Sequence, residues 1–167
     1  MSELDDLITT WEREAGLTSN LLRSIRPDQI DFRPDPNGRS LGELAWHLAE
    51  LEWIFSTMAR QRNLQGPPPP AQPKTAVEIA SGYDRIHHES LERVRTLTPE
   101  QLGLEFPFVT GEPISVRSIL RYPLLHHLIH HRGQLMMMIR LANGVPSHVY
   151  GPNREDSRPM PRPQGTA

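Results

Sequence analysis

Hydrophobic residues recur at helical spacing in four separate segments of the chain. The first predicted helix runs from about Glu3 to Ile25, the second begins at Ser40, the third begins at Thr75, and the fourth covers about Ser115 to Ala142. Apolar residues at positions i, i+3, i+4 and i+7 are typical of an amphipathic helix that buries one face. No segment carries a convincing strand pattern. The sequence therefore predicts an all-α fold, a four-helix bundle.

Local signals predict where these helices begin and end. Ser40 and Glu43 have the spacing of a capping box, and Thr75 and Glu78 repeat it at the third helix. The run Pro67–Pro70 ends the second helix. Because proline lacks the backbone donor that a helix needs, this run predicts an extended polyproline linker outside the core.

Proline also changes the prediction for the last third of the chain. Pro123 interrupts the fourth helix, so that the helix either kinks there or restarts with Pro123 in its first turn. Residues 104–113 are irregular, with a small hairpin around Thr110. Five prolines follow Val145, and the segment 154–167 is expected to be a disordered tail. The predicted domain is a bundle over residues 1–153.

Composition excludes several classes of function. The 167 residues include no cysteine, which excludes disulfides, thiolate metal sites and a cysteine nucleophile. The net charge of −2, with no basic block, argues against nucleic-acid binding. The acidic N-terminus lacks the order of a signal peptide, and no window approaches the roughly 18 apolar residues of a membrane helix. We expect a soluble cytoplasmic protein with no membrane partner.

Histidine is the residue type with the most informative placement. Four of the eight histidines lie in the hexapeptide 126–131 of the fourth helix. Helical periodicity places His127 and His131 near the centre of the apolar face, and places His126 and His130 well outside it. On the second helix, His47 also lies within the apolar stripe. Three imidazoles from two helices are therefore predicted to converge inside the bundle.

Such a cluster predicts a metal site with an open position. Imidazole binds zinc, nickel, iron or manganese, and two histidines one turn apart can hold a single ion. A single histidine on an apolar face is usually a packed core residue, but two at i, i+4 with a third on another helix favour a site. His87, His88, His126 and His130 are interpreted as solvated, and His148 is unassigned.

Residues beside the histidines have less specific interpretations. Gln134 is a candidate hydrogen-bond partner for a ligand imidazole. Arg132 is interpreted as a surface ion-pair residue, and Gly133 as a point of close helix approach. Trp46 and Trp53, opposite the core stripe of the second helix, suggest a partner surface of a dimer together with Ile129 and Met136 on the fourth. The alternative is that these residues pack beneath the linker or the tail.

Three segments of the chain form a recognisable set of motifs. The first is His127-Leu128-Ile129-His130-His131-Arg132-Gly133-Gln134, with the pattern H-x-x-H-H-R-G-Q. The second is Phe32-Arg33-Pro34 with Ser40-Leu41-Gly42-Glu43-Leu44-Ala45-Trp46-His47, and the third is Val145–Gly151. These segments resemble the signature, a second segment and the closing P-x-x-Y-G of the DinB family, the YfiT-like metal-binding four-helix bundles. The resemblance implies that His47, His127 and His131 bind a divalent metal, and it implies a bacterial source and a homodimer.

The resemblance implies two chemistries, metal-dependent hydrolysis and transfer to a low-molecular-weight thiol. Without a cysteine of its own, the chain would need the thiol as a cosubstrate that the metal activates. Glu43 and Glu50 are marginal as inward general bases, which favours thiol transfer over hydrolysis of a small molecule. The alternatives are a metal-dependent hydrolase and a non-catalytic metal-binding dimer. The expected ion is zinc or nickel, with iron or manganese also compatible.

Overall fold

The computed structural model describes residues 2–156. Its elements in chain order are α1 (Glu3–Arg23), a 3-10 turn (Pro27–Gln29), α2 (Leu41–Gln61), α3 (Ala76–Arg95), α4 (Pro99–Leu102), β1 (Glu105–Pro107), β2 (Pro113–Ser115), α5 (Val116–Ile119), a π-helix (Leu120–His126), α6 (His127–Leu141) and a 3-10 turn (Arg154–Asp156). Helix α3 packs against α1 and α2, and α1 and α2 in turn pack against the continuous stretch from α5 to α6. The predicted four-helix bundle is confirmed. Among residues 2–156, no helix is both long and apolar enough to cross a membrane.

The predicted capping boxes start α2 and α3. Ser40 Oγ accepts a hydrogen bond from the Glu43 backbone N–H at 3.2 Å, and Glu43 Oε2 accepts one from the Ser40 N–H at 2.7 Å. Thr75 and Glu78 make the same pair of bonds. Each box satisfies backbone donors that the first turn of a helix leaves free. The start of α2, which carries His47, is thereby fixed.

Helix α2 lies at the centre of the bundle, packed against α3 on one side and α6 on another. Trp46 is only 1% exposed, and its ring lies against Gly82 of α3. A Cβ atom at Gly82 would come within 2.8 Å of that ring, so the close approach of α3 requires glycine there.

The polyproline segment covers the two tryptophans of α2. Trp46 Nε1 donates to the Pro70 carbonyl and Trp53 Nε1 donates to the Pro67 carbonyl, both at 3.1 Å. Seven helical residues rise about 10.5 Å, and three residues of an extended proline run rise about 9.3 Å, so the two spacings match. The prediction of an exposed tryptophan surface is therefore wrong, and the alternative, packing beneath the linker, is confirmed for the two tryptophans, whereas Ile129 of α6 is 36% exposed.

Pro123 lies inside the π-helix Leu120–His126, and it neither ends the helix nor starts a new one. A π-turn holds one more residue than an α-turn and is a common way to accommodate a break in the helical hydrogen-bond pattern. Regular α-helix resumes at His127, so the π-helix sets the rotation of α6 relative to α5.

The remaining predictions concern the hairpin and the tail. Strands β1 and β2 form the small antiparallel hairpin, with Phe106 opposite Ile114. Within the predicted tail, Arg154–Asp156 form a 3-10 turn, and Glu155 pairs with Arg140 of α6 at 2.9 Å. These residues contact the bundle. The rest of the predicted tail, 157–167, lies outside the described residues.

Candidate metal centre

Helices α2 and α6 bring together the three histidines that periodicity selected. His47 lies two turns into α2, whereas His127 and His131 occupy the first turns of α6. The ring centroids are 4.5 Å apart for His127 and His131, 4.9 Å for His47 and His131, and 5.9 Å for His47 and His127. One nitrogen from each ring lies within 4.8 Å of the other two. All three side chains are half-buried.

Each ring also contacts a hydrogen-bond acceptor. His47 Nδ1 lies 3.0 Å from Glu50 Oε2, and His131 Nδ1 lies 2.6 Å from Gln134 Oε1. The His127 ring hydrogen-bonds the backbone of Pro123. Because His127 Nε2 faces His131, Nδ1 is the atom left for the Pro123 carbonyl. These acceptors favour the tautomer that carries the proton on Nδ1 in each neutral ring.

This tautomer leaves the three Nε2 lone pairs directed toward one another. His127 Nε2 and His131 Nε2 are 2.8 Å apart. Two nitrogen lone pairs at that distance repel unless a cation lies between them. The hydrogen bonds to Glu50, Gln134 and Pro123 thus hold the three rings in the way that outer partners orient metal-binding histidines.

A proton is an unfavourable cation between the two facing nitrogens because the rings are partly buried. Partial burial lowers the pKa of His131 to about 4, with the nearby His127 and His47 adding to the decrease and the Gln134 hydrogen bond opposing it. Burial also lowers the pKa of His127, followed by the effects of His47 and His130. The imidazoles of His127 and His131 are thus neutral near pH 7, which is the form that binds metals.

The spacing of the cluster fits one divalent ion. Zinc–nitrogen bonds of about 2.0–2.1 Å place tetrahedral ligands roughly 3.4 Å apart. The observed nitrogens span separations from 2.8 Å to at most 4.8 Å, so small rotations of the rings suffice. Among residues 2–156, this cluster supplies three histidine ligands, the number found in catalytic zinc sites that keep one position open.

The other histidines lie outside this cluster. His126 and His130 are exposed, as predicted, although the His130 ring lies 5.0 Å from that of His131. His126 instead packs edge-on against Tyr122 and lines a separate cleft of about 300 Å³ beside α1. His88 is exposed, and His148 Nδ1 lies 3.6 Å from Asp156.

The prediction for His87 is wrong. Its side chain is only 16% exposed, and Nδ1 lies 2.7 Å from Glu52 Oε2. Glu52 is fully buried and also accepts a hydrogen bond from the Tyr83 hydroxyl at 2.5 Å. An inward carboxylate therefore exists on α2, but its partners come from α3. Burial, together with the adjacent Glu52 charge, raises the pKa of Tyr83 well above its usual value.

Arg132 and Gly133 also differ from their predicted roles. Arg132 is 2% exposed and forms an ion pair with Glu14 at 2.5 Å, with a further bond to the Tyr150 hydroxyl. It is thus a buried link from α6 to α1. A Cβ atom at Gly133 would meet nothing within 4 Å, so this glycine makes no close helix approach within the described chain.

Known proteins share this fold and this sequence pattern. The DinB family model matches residues 1–165. The Bacillus subtilis (strain 168) protein YrdA, described as uncharacterized, is 27% identical over 92% of this chain and 91% of its own length. A DinB-like protein from Bacillus cereus ATCC 10987 aligns with a TM-score of 0.74 at 23% identity, covering 87% of this chain and 97% of that one.

A further solved structure is that of Bacillus subtilis YfiT, described as a probable metal-dependent hydrolase with an unusual four-helix bundle topology. It aligns with a TM-score of 0.63 at 17% identity, over 86% of this chain and 90% of YfiT. At these identities, the structural matches establish a shared fold.

Proposed function

The chain belongs to the DinB family, and from that membership and its facing imidazoles we propose that it is a metal-dependent hydrolase of a small molecule. One observation carries the proposal. His127 Nε2 and His131 Nε2 lie 2.8 Å apart while each ring's other nitrogen is hydrogen-bonded elsewhere. The similarity to YfiT, itself described as a probable metal-dependent hydrolase, supports the same reaction class.

In this proposal His47, His127 and His131 hold the ion through Nε2. When bound, a divalent ion in such a site supplies Lewis acidity toward a carbonyl or phosphoryl oxygen of the substrate. Glu50 Oε2 fixes the His47 ring, and Gln134 Oε1 fixes the His131 ring. The Phe55 ring, with its centroid 6.3 Å from that of His127, is an apolar neighbour of the site.

Glu50 has an outer role in this scheme. Its side chain is 33% exposed, and its Oε2 accepts a hydrogen bond from His47 Nδ1. The carboxylate therefore lies on the side of the ring away from Nε2, where it orients the ligand. Hydrolysis takes precedence over thiol transfer in this proposal because of the similarity to YfiT. Transfer to an exogenous thiol, a homodimer, and zinc or nickel as the ion stay predictions.

Elemental analysis of the purified, untagged protein tests the metal site. We expect about one divalent ion per chain in the wild type and none in the double variant His127→Ala/His131→Ala. The matched control is His126→Ala/His130→Ala, which removes two histidines from the same hexapeptide and should keep the ion. A wild type that takes up neither zinc nor nickel at neutral pH would contradict the proposal.

The reaction class is then tested with the loaded wild-type protein. Small esters and amides are supplied with and without glutathione, bacillithiol or mycothiol. Hydrolysis that is independent of thiol supports the proposed function. A product that forms only with a thiol, and carries it, would instead establish thiol transfer. Retained metal with neither product would favour the non-catalytic alternative.

A further inference from the structure

Two cavities flank Pro67 where the polyproline segment crosses α2. One, of about 260 Å³, is apolar and includes Ile54, Met58, Leu64 and Pro67–Pro69 in its lining. The other, of about 280 Å³, lies against Trp53 and Arg93. The segment is therefore anchored to the tryptophans without filling the space beside it. We call the first cavity the strap cleft.

The hydrogen bonding of Thr57, which lies between the two cavities, is incomplete. Its side chain lines both cavities and is 5% exposed, yet Oγ1 is buried without a hydrogen-bond partner among the described residues. Buried hydroxyls in packed proteins usually have a partner. A Cβ atom at Gly66 would lie 2.9 Å from the Thr57 methyl, so this glycine allows the chain to approach α2 beside the cleft.

The strap cleft and the histidine cluster share one face of α2. Ile54 and Met58 follow His47 by 7 and 11 residues, which returns them to nearly the same side of the helix. His47, Glu50, Ile54 and Met58 are all half-buried. The cleft thus lies on the His47 side of α2, about 10.5 Å of helix rise from His47 to Ile54.

We propose that the strap cleft binds an apolar chain of the substrate while the reactive group lies at the three histidines. This inference rests on the proposed function and names its substrate class, an elongated small molecule with an acyl or alkyl chain of about ten carbons. The cavity of about 260 Å³ is near the lower end of ligand-pocket volumes, its lining is mainly aliphatic, and two of its residues share the face of α2 that carries His47.

Two hydroxamates test the inference by calorimetry on the zinc-loaded protein. Hydroxamates bind metal ions through their head group, so acetohydroxamate probes the ion alone and decanoylhydroxamate probes the ion and the cleft. Because each buried methylene contributes up to a factor of about 4, we expect the decanoyl compound to bind at least about 100-fold more tightly. In Ile54→Ser that ratio should fall below about 10-fold, whereas Leu141→Ser, an exposed aliphatic site on α6, should retain it.

The outcomes separate the cleft from the metal chemistry. Equal affinity for the two hydroxamates, or a chain-length gain that survives in Ile54→Ser, overturns the cleft while leaving the hydrolase proposal intact. Failure of both hydroxamates to bind overturns the proposed function and, with it, the substrate class. Amide shifts of Leu64 and Gly66 on adding 1-octanol to the metal-free protein report on the cleft alone, and no shift there would overturn apolar binding.

Discussion

Two polar clusters lie side by side in the bundle, and they differ in how their hydrogen bonds are completed. His131 and Arg132 are neighbours in α6, yet they belong to different clusters. Arg132 is buried, and its guanidinium contacts the Glu14 carboxylate, the Glu14 carbonyl and the Tyr150 hydroxyl. His131 is half-buried, and its Nε2 faces another Nε2.

The difference separates a structural role from a binding role. In the arginine cluster each charge has a protein partner of opposite sign, so the cluster is complete in the folded chain. In the histidine cluster the protein fixes the outer nitrogens and leaves the inner ones facing each other. A cluster that the protein completes contributes to folding, whereas one left incomplete at its centre is suited to a ligand.

The largest expected effect comes from breaking the complete cluster. Arg132→Met leaves the Glu14 carboxylate buried without its partner, which should lower the free energy of unfolding by about 3–5 kcal/mol. Urea unfolding in the presence of EDTA measures it. The control is Arg140→Met, which removes the more exposed pair with Glu155 and should cost less than about 1 kcal/mol. Equal losses of unfolding free energy in both variants would show that the buried pair contributes no more than the more exposed pair.

The next largest effect is expected at Glu50, which orients the His47 ring of the incomplete cluster. Glu50→Ala removes the acceptor that orients His47, so metal affinity should fall by about 10-fold to 100-fold. The stability of the metal-free protein should change by less than about 0.5 kcal/mol, since Glu50 is partly exposed. Competition with a chelator measures the affinity. Glu112→Ala, on the exposed hairpin turn, is the control, and a similar loss of affinity there would contradict a specific role for Glu50.

Much of the incomplete cluster was predictable because its signals are local. The four-residue capping box from Ser40 to Glu43 predicts the start of α2. Helical periodicity distinguishes His127 and His131 from His126 and His130. Ligands in a bundle interior must lie on apolar faces, so the pattern that identifies the core also identifies them.

The complete clusters could not be predicted in the same way. Arg132 pairs with Glu14, 118 residues away, and Glu52 pairs with His87, 35 residues away. Neither pairing produces a signal in the sequence around its residues, and a charged residue is exposed far more often than buried. The Pro123 carbonyl was also missed, because a backbone atom in a π-turn has no side-chain signature, whereas Glu50 was detectable as a carboxylate three residues after His47.

Acidification of the metal-free protein gives the smallest effect and tests whether the incomplete cluster tolerates a proton. The pKa of His131 is about 4 in the folded chain, against about 6.5 when unfolded. Above pH 6.5 neither state carries the proton. Between pH 6.5 and 4 the unfolded chain takes up a proton that the folded chain refuses, so the free energy of unfolding falls as the pH falls, and below pH 4 the loss is complete.

Several carboxylates also destabilise the fold on acidification, so the comparison is with His131→Gln, which lacks this titration but keeps their contribution. With allowance for solvent screening of a half-buried ring, the wild type should lose about 1 kcal/mol more than the variant between pH 7.5 and 4.5 in EDTA. Urea unfolding at intervals across that range measures the difference. Parallel pH profiles would mean that the cluster accepts a proton as readily as free histidine, and that His127 and His131 do not depend on a metal ion to satisfy their facing nitrogens.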